Sequence, residues 1–242
     1  MSSQHIFLLS HMRANTSLVS HILGSHPQIS GYYEMHLSYH DEHDLDKQLQ
    51  LFSSKDQIKS STKYMFDKLL HNDYELCLDQ LDRDKIKILV SIRSPEQSIK
   101  SIVNLFRNKN AAHAYAGLES AAQYYIDRVT ELARFCQCNK GQYYYYDADL
   151  IRIQHESLLQ RLQDWLGLSM PLSEQYQLFS LTGQARVGDT SENMNKGRIV
   201  RHQNNYDDIE IPDQLLRQVV AETRRHKEAA VSYAIDSIEL NK

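Results

Sequence analysis

Four prolines and eight glycines in 242 residues leave no proline- or glycine-rich stretch that would mark a linker. The chain therefore reads as one domain, residues 1–242, long enough to bury a sizeable core. Its three cysteines, Cys77, Cys136 and Cys138, are an odd number without zinc-ligand spacing. That excludes a disulfide framework and points to reduced thiols in a cytoplasm. No apolar run approaches the ~20 residues that span a bilayer, and the N-terminus carries no signal peptide, so a soluble cytoplasmic protein with no membrane span is expected. Basic charge is not in surplus either, since 27 Lys and Arg face 31 Asp and Glu. That balance argues against a general nucleic-acid or membrane-surface binder, and any anion site has to be local.

The stretch that organises the chain runs from His5 to Glu34. Ile6-Phe7-Leu8-Leu9 is long enough for a buried strand and too short for a helix. A polar turn, His11 to Ser17, follows, and then Leu18, Val19, Ile22 and Leu23 recur at helical spacing. In such a strand-turn-helix unit the unpaired amides at the helix start and the positive end of its dipole converge on one spot, which suits a phosphate. Arg13 adds a fixed charge, and Thr16 and Ser17 add hydroxyls. A nucleotide-hydrolysing loop, G-x-x-x-x-G-K-[ST], is excluded because neither its glycines nor its lysine is present.

Further strands are predicted at Ile29–Tyr33, with Glu34 at the exit, at Thr62–Asp67, at Ile86–Ile92 and at Gln142–Tyr146. In an open parallel sheet ligands gather beyond the carboxyl ends of strands, which places Glu34 close to the first loop. Lys68 and His71 leave the third strand ahead of a helical Tyr74–Leu76 segment. Ser94-Pro95-Glu96 is a helix start, with Ser94 as cap and Pro95 in the first turn. Leu118–Cys138 has the spacing of a long amphipathic helix. The four tyrosines 143–146 read as core rather than as an aromatic cage, because alternate strand residues face opposite sides. His36, His40 and His43 recur at helical intervals, but a solvated acidic helix accounts for them as well as a metal would. From Pro212 an amphipathic helix runs to a basic end, Arg224 to Lys227. Sequence leaves open whether it docks on the domain or on a second copy in a homodimer.

Four of these blocks resemble the sulfotransferase family. Its phosphosulfate loop, P-R-S-G-T-[TS]-L followed by a helix, a His-Pro and an acid, is matched by Arg13-Ala14-Asn15-Thr16-Ser17-Leu18, His26-Pro27 and Glu34. Ala14 stands where serine is usual and Asn15 where glycine is usual. Asn tolerates a left-handed backbone better than other non-glycine residues, so the turn survives the exchange. In the tyrosylprotein branch the acid lies seven residues after the proline, the spacing from Pro27 to Glu34. Asp67-Lys68 is similar to the family's D-K pattern, without its proline. The second signature, strand-R-[DS]-P with a serine eight residues after the arginine, is matched by Arg93, Ser94, Pro95 and Ser101. Tyr146-Asp147-Ala148-Asp149-Leu150 and Trp165-Leu166-Gly167-Leu168 resemble its Y-E-D-L and F-L-G-L block. A late loop of hydroxyl and basic residues corresponds in type to Ser191, Lys196, Gly197 and Arg198, with Arg186 and Arg201 as supplements.

The resemblance covers most of Ile6 to Arg201. It implies a three-layer α/β/α fold with a central, mostly parallel sheet of the P-loop-like sulfotransferase kind. It also implies a 3′-phosphoadenosine 5′-phosphosulfate (PAPS) co-substrate, no metal, and transfer of a sulfuryl group by in-line displacement. The 5′-phosphosulfate is expected on Arg13 to Ser17 and the 3′-phosphate on Arg93 and Ser101. Glu34 is the expected base, with His71 as the alternative, and Arg13 and Lys68 offset charge on the transferring group. Sugars, phenols, peptide tyrosines and lipid alcohols remain open as hydroxyl acceptors. Two further readings stand beside this one: a non-catalytic nucleotide-binding protein of the same fold, and a small-molecule kinase, for which the loop lysine is missing.

Overall fold

The protein is described by a computed structural model over residues 4–184, 192–201 and 206–240. In chain order its elements are β1 (Gln4–Leu9), α1 (Thr16–Ser25), β2 (Ile29–Ser30), β3 (Tyr39–Asp41) and α2 (Glu42–Ser53). There follow β4 (Tyr64–Leu69), β5 (Leu76–Gln80), β6 (Ile86–Ile92), α3 (Pro95–Lys109) and α4 (Leu118–Cys138). The chain continues through β7 (Tyr143–Asp147), α5 (Leu150–Ile153), α6 (His155–Leu166), α7 (Asp213–Ser232) and β8 (Asp236–Ile238). Six strands form one sheet in the order β2-β4-β1-β6-β7-β8, every neighbouring pair parallel, while β3 and β5 pair separately.

Because side chains alternate along a strand, the apolar runs feed two cores at once. Phe7, Leu9, Ile88, Val90, Tyr143 and Tyr145 point to one face and meet Ile99, Ile102, Val129, Leu132 and Val219 from α3, α4 and α7. Ile6, Leu8, Phe66, Leu89, Tyr144 and Tyr146 point to the other and meet Leu18, Ile22, Leu158 and Leu162 from α1 and α6. The three-layer parallel architecture predicted from sequence is thus present. The four tyrosines are core residues, all fully buried, and the Tyr143 hydroxyl ends on the Ala230 carbonyl at 2.6 Å.

Several local expectations change. The second strand is two residues long rather than five. Gly31 turns the chain with φ +110, and a Cβ there would lie 2.2 Å from the Phe66 carbonyl oxygen, so the segment leaves the sheet at that point. The segment entering at Tyr74 is no helix: it leads into β5, where Leu76 and Leu78 are buried on either side of a half-exposed Cys77. Of the three histidines taken to share a helix, His36 precedes β3 and His40 lies within it, leaving only His43 on α2. Helix α7 does not stop at Lys227 but runs to Ser232, and Lys227 uses its ammonium to reach Asp147 at 2.7 Å. Ser94 does not cap α3 with its side chain. Among the described residues no helix is long and apolar enough to cross a membrane.

Candidate active site

The carboxyl ends of β1, β4 and β6 converge at the first loop, as their parallel register requires: Leu9 pairs with both Leu69 and Val90. The loop turns left-handed at Arg13 (φ 64) and again at Asn15 (φ 57), with Ala14 between them fully buried. Alternation of this kind points successive amides into one concavity, an anion nest placed at the start of α1. Asn15 does more than tolerate the turn. Its amide nitrogen donates to the Ala148 carbonyl at 3.1 Å, and its oxygen accepts from Arg152 Nε at 2.9 Å. The side chain that replaces the family's glycine therefore ties the loop to the end of β7.

Arg13 links the two parts of the predicted donor site. Its Nε donates to the Ser101 hydroxyl at 2.9 Å, and its carbonyl accepts from Arg93 Nη1 at 3.0 Å. Arg93 is buried and forms an ion pair through Nε with Asp149 at 2.8 Å, while the Ser94 hydroxyl also reaches Asp149 at 3.3 Å. Its amide donates to His11 Nε2 at 3.0 Å, and His11 Nδ1 donates to the Met12 carbonyl at 2.8 Å. Full burial pushes the His11 imidazole down to about 4, so it stays neutral in the tautomer that these two bonds require. Lys68 is buried inside β4, not beyond its end, and its ammonium donates to Ser17 Oγ at 3.2 Å. Thr16, the first residue of α1, is buried beside it in sequence. Three cations, two of them with hydroxyl partners, thus stand around one nest.

Glu34 lies four residues past the end of β2 and is nearly buried. One of its oxygens, Oε1, has no hydrogen-bond partner and sits 3.7 Å from both His36 Nδ1 and His71 Nε2. Burial lowers the His71 imidazole, against the pull of Glu34 in the other direction. The structure therefore brings the two candidate bases together instead of choosing between them.

Four supporting residues were not picked out as site residues in the sequence. Asp149 neutralises Arg93. Arg128 on α4 donates to the carbonyls of Ser10, Leu69 and His71, at 2.8, 2.7 and 3.1 Å, and so clamps the ends of β1 and β4. Tyr206 shares a hydrogen bond of 3.1 Å with the Ser101 hydroxyl. Asp67 accepts from the amides of Met35 and Lys68, at 3.0 and 2.7 Å, and from the Tyr39 hydroxyl at 2.6 Å, joining the segment after Glu34 to Lys68. Asp149 and Asp67 carry a sequence signal, each through its place in a motif at the end of a strand, β7 and β4.

Burial pushes the Asp67 carboxyl up to about 7; the three hydrogen bonds oppose that and the Glu34 charge adds to it. The folded state then holds this proton more tightly than the unfolded chain, whose aspartate titrates near ~3.9. The stability from that proton is full below about pH 4 and is lost as pH rises through about 7, on the order of 4 kcal/mol in all. Asp67→Asn keeps the protonated form's hydrogen bonds, so its stability relative to wild type should improve steadily over that window. Denaturant melts of both proteins across it test this, and a pH-independent difference would contradict it.

Ser191 and Arg186 lie outside the described residues. Gly197 has its carbonyl on the Tyr176 amide at 2.8 Å and borders a cavity with Ser25, His26 and Pro27 at the C-terminal end of α1. That end is ~15 Å of helix away from the nest. Lys196 is exposed and donates to Asn193, Arg198 is exposed and bridges to Gln175, and Arg201 is exposed near Glu156. The segment is joined to the first loop at one point, where Arg152, which reaches Asn15, also donates to the Val200 carbonyl at 2.7 Å. Among the described residues no group of three or more His, Cys, Asp or Glu side chains is placed to hold a metal ion.

Fold and site define a parallel α/β protein with a phosphate-type nest after its first strand. Among solved structures the chain is similar to the sulfotransferase domain from the curacin biosynthetic pathway, at 15% identity and a TM-score of 0.60, covering 93% of this chain and 98% of that one. It is also similar to the sulfotransferase domain of the Synechococcus PCC 7002 olefin synthase, at 16% identity and 0.55, covering 93% and 95%. A mouse sulfotransferase, SULT7A1, complexed with PAP follows at 12% and 0.54, covering 95% and 90%. The sequence matches no protein-family model and no curated protein. The chain thus has the sulfotransferase fold along nearly its whole length.

Proposed function

We propose that the chain, acting as one domain over residues 1–242, is a sulfotransferase that moves a sulfuryl group from PAPS to a hydroxyl acceptor. The observation that carries this reading is the junction at Arg13, whose guanidinium meets Ser101 while its carbonyl is held by Arg93. The two halves of the donor motif, 80 residues apart in sequence, meet there. A mouse sulfotransferase of the same fold complexed with PAP supports PAPS as the donor.

The residues fit such a donor. The nest and Ser17 would hold the 5′ end, and Arg93 with Ser101 the 3′-phosphate, for which a guanidinium fork and a hydroxyl are suited. Bound there, the donor supplies an activated sulfuryl group. Arg13 and Lys68 stabilise negative charge that grows on the leaving phosphate, from fixed positions that need no reorganisation. Glu34, at the neighbouring strand end, takes the proton of the attacking hydroxyl. Asp149 leaves the site cationic overall, since it balances only one of the three cations.

Incubation with donor radiolabelled in the sulfuryl group and a panel of phenols, sugars and aliphatic alcohols tests this, with and without a chelator. Label should pass to at least one acceptor class in both conditions. Transfer to none, with the bisphosphate still bound, would make the chain a non-catalytic nucleotide-binding protein; transfer from ATP alone would make it a kinase.

A further inference from the structure

Glu34 presents a geometry that a lone base does not need. The oxygen Oε1 is buried, lacks a hydrogen bond, and lies at the same 3.7 Å from two imidazole nitrogens. His36 is brought there by a backbone in the left-handed region (φ 57), which folds the chain back on itself two residues after Glu34. The Glu34 side chain is 9% exposed, whereas that of His36 is 37% exposed. A proton accepted by Glu34 therefore has a more exposed imidazole side chain next to it. We propose that His36 is the proton outlet of Glu34, relaying to bulk water the proton removed from the acceptor hydroxyl.

This rests on the transferase reading and adds a step to it. As the acceptor oxygen bonds to sulfur, the bridging bond of the donor breaks with its electron pair on the leaving phosphate, and the acceptor proton passes to Glu34. Glu34 then returns to carboxylate by giving the proton to the Nδ1 lone pair of His36, and the imidazolium releases its Nε2 proton to water. The separation is just longer than a hydrogen bond, so a small closure completes the path. His71 is the weaker outlet: its side chain is less exposed, 29% against 37% for His36, and burial lowers its basicity. Other ionisable groups face this cluster. Tyr74 lies against His36 with ring centroids 5.3 Å apart, Asp67 sits beneath it through the Met35 amide, and Asp73 and Arg128 act on His71. His36 acts through Glu34 and is a positioning residue in that sense.

The test is steady-state transfer by wild type, His36→Asn and His36→Ala. Asn accepts the left-handed backbone, so the first variant keeps the turn while removing the basic nitrogen. It should lower kcat about tenfold, the low end of what a positioned proton-transfer group contributes, with KM for donor and acceptor unchanged. In His36→Ala, added imidazole should restore kcat in proportion to its free-base form, a response that a structural role would not give. Wild-type kcat in His36→Asn, or a loss in His36→Ala that imidazole leaves untouched, would overturn the relay while leaving the transferase intact. A wild type that binds the bisphosphate and turns over no acceptor would overturn both.

Discussion

Glu34→Gln should cut kcat by a factor of ~10² to 10⁴, the range for loss of a positioned general base, while leaving affinity for adenosine 3′,5′-bisphosphate unchanged. The separation of effects follows from the geometry. Glu34 contacts His36 and His71, whereas Arg13 contacts both Ser101 and Arg93. Glutamine has the same shape, so the segment that Asp67 anchors through the Met35 amide stays in place. Kinetics with a saturating acceptor, beside a binding titration, read the two quantities separately. Wild-type turnover in this variant would remove Glu34 from the base role and move that role to His71, whose Nε2 lies on the same side of the site.

Arg93→Ala should have two large effects, one on binding and one on folding. Charge-assisted hydrogen bonds to a phosphate are worth ~1.5–3 kcal/mol each, so bisphosphate affinity should fall at least tenfold. The same change leaves Asp149 buried without its ion-pair partner, a situation that costs ~3–5 kcal/mol. The double variant Arg93→Ala with Asp149→Asn separates the effects: it should recover much of the stability and none of the affinity. Ser101→Ala should weaken binding by ~1 kcal/mol, typical of a single hydrogen bond, with little change in stability. Recovery of affinity in the double variant would place the phosphate elsewhere.

These predictions draw on a site that was partly legible in the chain. Arg13 to Ser17 could be read because a strand, a turn and a helix lie consecutively within one short segment, and the chemistry of the turn is local. Arg93 and Ser101 could be read for the same reason, through a second strand and the helix after it. What could not be read depends on register. The pairing of Ile92 with Asp147 delivers Asp149 to Arg93 from across the sheet, and although both residues lie in motifs, nothing in the sequence pairs one with the other. Arg128 looks like any polar position on an amphipathic helix until the ends of β1 and β4 are seen to converge on it.

The fold shows the same division. β1, β6 and β7 announce themselves as runs of apolar or aromatic residues. β8, with Asp236 and Ser237 in a three-residue edge strand, carries no such run and was missed. β2 was read too long because apolar content around Gly31 hid a backbone turn that only the close approach to Phe66 reveals. Tyr74–Leu76 reads as helical because three residues are too few to distinguish the two periods, and the structure makes them the entry to β5. The late loop is matched on residue type alone; its backbone pairs Gly197 with Tyr176 and Arg198 with Gln175.

The central claim, a donor site built on Arg13, Arg93 and Ser101, is tested most directly by calorimetric titration with adenosine 3′,5′-bisphosphate beside ADP and ATP in the absence of metal. The account predicts a clear preference for the bisphosphate that is lost in Arg93→Ala with Asp149→Asn. Absence of binding, or a preference for ATP that appears only with magnesium, would contradict it.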